Sequence, residues 1–534
     1  MSNPATNLKR NFISMLALIL LTSNPLGAFA AVNSQDSTGT ASNNDKLEAF
    51  RKNPPNLPPP RPFQLPKVTN FKLANDLDVY MVENHKVPYI TALLGFKTGK
   101  VSDPSEKLGL AELTSDMLTE GAGKLNSKEL ASQIDFIGGS IYSQAGPDFT
   151  LVNAQSLSKY TPKLFSLLSS VVIDPSFPED ELALKKTNII QELELKRAEP
   201  SFLAKERFNK VLYGNHPYAN VAPKPETIKR ISKLDLETFH KKNYLPNNAT
   251  LVVVGDFDPA KMKEILKENF EKPWPKATHT AKHDIAVNSP KHNKEIFLID
   301  RAGSVQSNIY LGNIGIKRND KDYFPFIVAN EILGGSSRSR LFLNIREQKG
   351  YTYGAYSRLN TNKMAGDFVC TAEVRNNVTG PSLEEFLYEL DKIRNVAVSP
   401  KELKEAQNHL AGTYQLSVES QLGLASRLID AKLNELPVDY LTTYANNIMQ
   451  VTPAQIQEVM RKYINLNSID IVVVGDKNQI LNQLEPFAPV VVFDTNGNPQ
   501  TGHNQVAGVT VKPKTSTTAK KTVSNQTTKN SEKK

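Results

Sequence analysis

The chain has 534 residues, 39% of them hydrophobic, so it is too long for one ordinary domain and apolar enough to bury large cores. Of its net charge of +9, residues 501–534 supply +6 through seven Lys and one Glu, and Lys9 with Arg10 another +2, which leaves +1 for the rest. A nearly neutral body offers no basic face for phosphates and argues against nucleic acid as a partner, while a single cysteine, Cys370, cannot form an internal disulfide.

Lys9 and Arg10 precede an apolar run from Phe12 to Leu21, and Ala28-Phe29-Ala30 follows as a small-x-small site. This pattern reads as a secretory signal peptide over 1–30, cleaved after Ala30, because about ten apolar residues are too few to cross a bilayer. No later stretch is long and apolar enough for a span, so the expectation is an exported protein, periplasmic in location, with no transmembrane span after cleavage. Residues 31–66 form a linker whose seven prolines between 51 and 66 favour an extended chain.

The fold is expected to begin near Val68. Alternation predicts strands at Leu77–Val82 and Tyr89–Phe96, a helix from about Lys107 to Gly121, and further strands around Gly139–Ser143 and Phe149–Ala154. From Thr161 to about Lys242 the spacing is helical, with Ser176 and Ser232 as N-caps, each followed three residues later by an acid, Glu179 and Asp235. Mixed order of this kind indicates an α+β domain.

An internal repeat follows. Ala249-Thr-Leu-Val-Val-Val-Gly-Asp256 is echoed by Ile469-Asp-Ile-Val-Val-Val-Gly-Asp476, and each copy follows a helix ending in a basic segment with an aromatic residue. The chain therefore divides into two similar halves, 67–275 and 294–488, joined by a Pro- and Lys-rich linker at 276–293. Residues 489–534, rich in Thr, Lys, Ser and Asn, are expected to be a disordered basic tail.

The helix at 107–121, the Glu-rich segment Ile189–Glu194, His216-Pro217-Tyr218, the Val-Val-Val-Gly-Asp strand and Leu341–Tyr353 together resemble the pitrilysin or insulinase-like zinc metallopeptidases, a family that includes the mitochondrial processing peptidase. The resemblance covers about 67–485. It implies two homologous αβ-roll halves, each an antiparallel sheet backed by helices, facing each other across a peptide chamber. In the family, His-x-x-Glu-His on one helix supplies two zinc ligands and a general base, and a Glu well downstream completes the shell. Here the histidine positions are Glu112 and Asp116 and the base position is Ser115, whereas Glu192 keeps the place of the downstream acid at the family's spacing.

The chain thus lacks both imidazoles and the base, and a hydroxyl has the wrong acidity to take a proton from metal-bound water near neutrality. The expectation is that no metal or other cofactor is bound by this chain. Glu112, Asp116 and Glu192 remain an alternative all-oxygen cluster of the kind that suits Ca²⁺ or Mg²⁺. The second half retains Arg346 and Tyr353, whose spacing matches the family pair that binds substrate and stabilises the oxyanion. Gly334, Gly335 and Ser336 resemble the family's glycine loop, which implies substrate binding.

These residues imply a chain inactive alone that contributes to the metalloendopeptidase activity of a heterodimer. It would bind peptide and supply Arg346 and Tyr353 to a zinc-bearing paralogous subunit, with the Zn²⁺ held by that partner. A non-enzymatic structural or peptide-binding protein of the same fold, and a metallopeptidase with an atypical carboxylate site, are the alternatives.

Overall fold

The computed structural model describes residues 65–280, 285–287 and 293–500. The expected signal peptide, nearly all of the Pro-rich linker, parts of the 276–293 joint and the chain beyond 500 lie outside the described residues. Two six-stranded sheets organise the rest. In the first half β1 (Val68–Lys72), β2 (Asp78–Glu83) and β3 (Tyr89–Phe96) come early. A short hairpin of β4 (Gly121–Ala122) and β5 (Leu125–Asn126) then precedes β6 (Ser140–Ala145) and β7 (Thr150–Leu157), and β8 (Ala249–Gly255) closes the half. The second half contributes β9 (Ile296–Asp300), β10 (Gln306–Ile314), β11 (Thr352–Asn360), β12 (Asp367–Arg375), β13 (Asp470–Gly475) and β14 (Val490–Phe493).

The sheet orders β1-β2-β8-β3-β7-β6 and β11-β12-β10-β13-β9-β14 show the repeat directly. In each half the Val-Val-Val-Gly strand, β8 or β13, inserts between two strands that are consecutive in the chain. Those two strands, joined by a short loop, run in opposite directions, so the inserted strand must be parallel to one and antiparallel to the other. Accordingly β8 pairs parallel with β2 and antiparallel with β3, and β13 pairs parallel with β9 and antiparallel with β10. The sheets are therefore mixed, where the family resemblance implied antiparallel ones.

Central insertion also explains the valine runs. A strand covered on both faces reads as a continuous apolar segment rather than an alternating one. Leu251 and Val253 of β8 face a core built with the half's own helices, among them Leu110–Met117, Thr161–Ile173 and Lys233–Asn243. Val252 and Val254 face the other way and share a core with Leu428, Ile429 and Leu433 of helix Gln421–Leu433, which belongs to the second half.

The exchange is reciprocal. Helix Pro200–Tyr213 of the first half packs on β13 and β10 of the second, where Leu203, Phe208 and Leu212 meet Val472 and Val474. These two helices are equivalent in the repeat, since the shift that carries Ala249 onto Ile469 also carries 200–213 onto 420–433. The fit is close at Gly95 of β3, where a Cβ would lie 2.8 Å from Leu433 Cδ1 and 3.0 Å from Ile429 Cγ1. The halves therefore meet through shared helices, and the chamber expected between them does not separate these surfaces.

Polar contacts lock the same arrangement. The β6–β7 turn supplies Asp148, whose carboxylate accepts hydrogen bonds from the Tyr218 hydroxyl and from the backbone N–H of Lys363 (2.9 Å) in the β11–β12 turn of the other half. The Tyr218 hydroxyl also accepts the backbone N–H of Met364 (3.3 Å), so His216-Pro217-Tyr218, one of the family-like segments, takes part in the interhalf tie. Lys97 and Glu435 add an ion pair of 3.0 Å across the same joint.

Two boundaries differ from the sequence reading. Ser232 caps helix Lys233–Asn243 in a reciprocal box with Asp235 as expected, but Ser176 caps nothing: its N–H donates to the Gly121 carbonyl, and the next helix starts only at Glu179, after Pro178. The second half also continues past residue 488, because Val490–Phe493 adds to the sheet parallel to β9. A low-complexity neighbour hid this short strand.

The exchanged helices make the halves interdependent. Leu433→Ala, which opens a cavity against Gly95, should cost about 2–5 kcal/mol, and denaturant unfolding should remain a single transition. Two separable transitions would contradict the shared core.

Candidate functional site

The motif helix, Leu110–Met117, buries Leu110, Ala111, Leu113, Thr114, Ser115 and Met117 and leaves Glu112 and Asp116, one turn apart, on its remaining side. Its first residues follow Gly109, whose φ of 98° requires glycine-like freedom. Asp103 from the preceding loop accepts the N–H groups of Gly109 and Ala111, each at 2.7 Å, and so satisfies amides that a helix start leaves without intrahelical partners. Burial raises the Asp103 carboxyl to about 7, with those two amides pulling the other way. Spacing alone gave no sign of this cap.

Lysines supply the positive charge beside these carboxylates. Lys100 Nζ lies 2.7 Å from Glu112 Oε2. Burial pushes the Asp116 carboxyl up to about 6, opposed chiefly by Lys185, whose ammonium also lies 3.3 Å from Glu120. Ser115 Oγ sits 2.6 Å from Ser143 Oγ of the edge strand β6, so the base position is a buried hydroxyl bonded to a second one. Glu192 turns to solvent, its side chain 61% exposed, and pairs with Lys196 at 2.6 Å one turn along its own helix.

The three carboxylates therefore do not converge. Among the described residues no group of three or more His, Cys, Asp or Glu is placed to hold a metal ion. Two of the described histidines show their use elsewhere: His240 meets the Val172 carbonyl at 2.8 Å, and His85 lies 2.6 Å from both Glu83 and Asp256. A zinc shell does not fit residues already engaged with ammonium and hydroxyl groups.

The second-half residues contrast with this closed site. Arg346 lies on the helical segment Phe342–Gln348, its guanidinium 4.6 Å above the Phe342 ring and 3.2 Å from Glu347, and Phe342 in turn lies 5.6 Å from the Tyr356 ring on β11. The segment is anchored by Asn344, which donates to Glu385 (2.9 Å) and Glu389 (3.0 Å). Tyr353, on the edge strand β11, is 90% exposed. Among the described residues no hydrogen bond, ion pair or ring contact joins Arg346 or Tyr353 to Glu112, Asp116 or Glu192.

Gly334, Gly335 and Ser336 close the helical turn Glu331–Gly335. Gly334 is buried, and a Cβ there would lie 2.2 Å from Ser357 N, so its first role is close packing of this turn on β11. Gly335 is exposed and Ser336 half-buried at the rim. Among the described residues, no helix is long and apolar enough to cross a membrane.

The raised Asp116 carboxyl sets a pH dependence. A carboxyl that holds its proton more tightly in the folded chain than its ordinary value near 3.8 favours folding at low pH, and that stability is lost as pH rises through about 6. Asp116→Asn should therefore melt higher than the parent at about pH 8, and the gap should close as pH falls to about 4. Thermal melts across that range would show it. A constant gap would place the effect outside titration.

Residues 78–226 match the model of the insulinase family, peptidase family M16, and residues 230–410 match that of the peptidase M16 inactive domain. Similar curated proteins include an uncharacterized zinc protease YmxG of Bacillus subtilis, 23% identical over 363 residues that span 67% of this chain and 87% of that one. The non-peptidase homolog YmxG of Helicobacter pylori is 24% identical over 404 residues, 74% and 91% of the two chains. Among solved structures, a peptidase M16 inactive domain from Pseudomonas fluorescens matches with a TM-score of 0.71 and 28% identity, over 76% of this chain and 98% of that one. A protease from Helicobacter pylori matches with 0.72 and 20%, over 77% and 100%, a likeness of fold. The chain belongs to peptidase family M16, as a variant without the His-x-x-Glu-His motif.

Proposed function

We propose that this chain is the non-catalytic subunit of an exported M16 peptidase, assembled with a zinc-bearing paralogue and contributing Arg346 and Tyr353 to the peptide bound there. The observation that carries the reading is the asymmetry between the halves. Glu112, Ser115 and Asp116 are engaged within their own half, whereas Arg346 has only an exposed local ion pair and Tyr353 stands almost entirely in solvent. An exposed pair of that kind contributes at most about 1 kcal/mol and is readily exchanged for another anion.

The chemistry suits developing negative charge. A guanidinium held over an aromatic ring is partly oriented before it meets a ligand, and the exposed phenol of Tyr353 is a second donor. Enclosed by a partner chain, both donors would act in a low-dielectric site, where fixed dipoles stabilise an oxyanion far more than in water. The H. pylori relative's description as a non-peptidase homolog supports the absence of hydrolysis by the chain itself. A purely peptide-holding role is the second reading, supported by edge strands β6 and β11, each at the end of its sheet order.

In a complex recovered with its zinc-bearing partner, Arg346→Ala should lower peptide turnover about a hundredfold and leave assembly intact, the effect of losing one oxyanion donor. Tyr353→Phe should lower turnover as well. Turnover indifferent to both substitutions would favour the peptide-holding role, and loss of assembly would make Arg346 an interface residue.

A further inference from the structure

A cavity of about 300 Å³ is lined by the helix corner at Arg197–Lys210, the loop at 219–224 and the C-terminal segment 494–497, and none of the candidate site residues above lines it. Four cations line it, Arg197, Arg207, Lys210 and Lys224, against two carboxylates, Glu206 and Asp494. The charges of Glu206 and Asp494 both reach Arg207, yet the lining keeps two more cations than carboxylates and the oxygens of both acids are already bonded. Glu206 is held by Arg197 Nη2 at 2.9 and 3.2 Å, and Asp494 accepts from the amides of Asn496 and Asn498 and from the Asn498 side chain within its own turn.

The donors are unevenly satisfied. Arg197 Nη1 is buried and has no acceptor among the described residues, an arrangement that native proteins seldom leave unmet. Arg207 is fixed with its guanidinium 3.7 Å above the Phe493 ring and Nη2 2.7 Å from the Gly497 carbonyl, and burial pulls its pKa down. Glu206 and Asp494 act on Arg207 through space, but the hydrogen bond given for its guanidinium goes to a carbonyl, and a half-buried guanidinium of this kind gains from an anion brought into contact. The apolar part of the lining comes from Leu203, one turn before Arg207 on the same helix, and from Val221 and Ile299.

We propose that this cavity binds the C-terminal residue of a peptide, its carboxylate facing the Arg197–Arg207 corner and its side chain against Leu203, Val221 and Ile299. A charged wall beside an apolar one suits a carboxylate carrying a hydrophobic side chain. The volume takes one or two residues, so the recognised group is a chain end rather than a strand. The inference rests on this cavity alone and stands whether or not the chain assists a zinc-bearing partner.

The test is calorimetric titration of the full chain with N-acetyl-alanyl-leucine, its C-terminal amide, and inorganic phosphate. The free acid should bind at least about tenfold more tightly than the amide, the difference a charge-assisted pair supplies. Phosphate should compete weakly, since it shares the oxyanion but lacks the side chain. Arg197→Gln and Lys224→Ala should each weaken the acid several-fold while the amide is unaffected. Because Arg197 also pairs with Glu206, hydrogen exchange on the parent chain gives a second readout: the acid should protect 219–224 and 494–497. Equal binding of acid and amide, phosphate binding as tightly as the acid, or protection confined to other segments would each overturn the assignment.

Discussion

The reciprocal exchange of two helices is the constraint on which the molecule depends. Helices Pro200–Tyr213 and Gln421–Leu433 are equivalent in the repeat, yet each covers the sheet of the opposite half. Neither sheet can bury both faces with its own half alone, so the two sequence halves form one cooperative body. The Asp148–Lys363 bond and the Lys97–Glu435 pair then fix how the repeats meet. The motif helix of one half and the Arg346 segment of the other are consequently held on a common frame.

On that frame the first half has kept the motif helix and lost its chemistry. The geometry that would present two metal ligands on one face survives as Glu112 and Asp116, but Lys100 and Lys185 bring the compensating charge with their own side chains. The downstream acid is retained in sequence and diverted in space, since Glu192 pairs with Lys196 on its own helix. In the second half Arg346 lies over Phe342, whose ring in turn packs beside Tyr356. Arg346 and Tyr353 face solvent, where a second chain can reach them.

Much of this was legible from residues. Periodicity located β3 at Tyr89–Phe96 to the residue, the internal repeat identified β8 and β13 as equivalents, and the missing imidazoles were plain from the sequence. What escaped was non-local. The helix exchange depends on which of two distant sheets a helix meets, and amphipathic spacing is the same for either choice. Lys100, Lys185 and the Asp103 cap are ordinary polar residues whose role exists only once loop and helix are packed. The insertion of β8 between β2 and β3, which makes the sheets mixed, was implicit in the valines buried on both faces, a pattern common to central strands generally.

The most direct measurement is peptide hydrolysis with metal analysis, made on this chain purified alone and on the same chain reconstituted with a zinc-bearing M16 paralogue. No bound zinc and no hydrolysis are expected from the isolated chain, and chelator-sensitive hydrolysis from the pair should exceed what the paralogue achieves by itself. Chelator-sensitive hydrolysis by the isolated chain would contradict a non-catalytic role, because the lysine-engaged carboxylates would then be a working metal site.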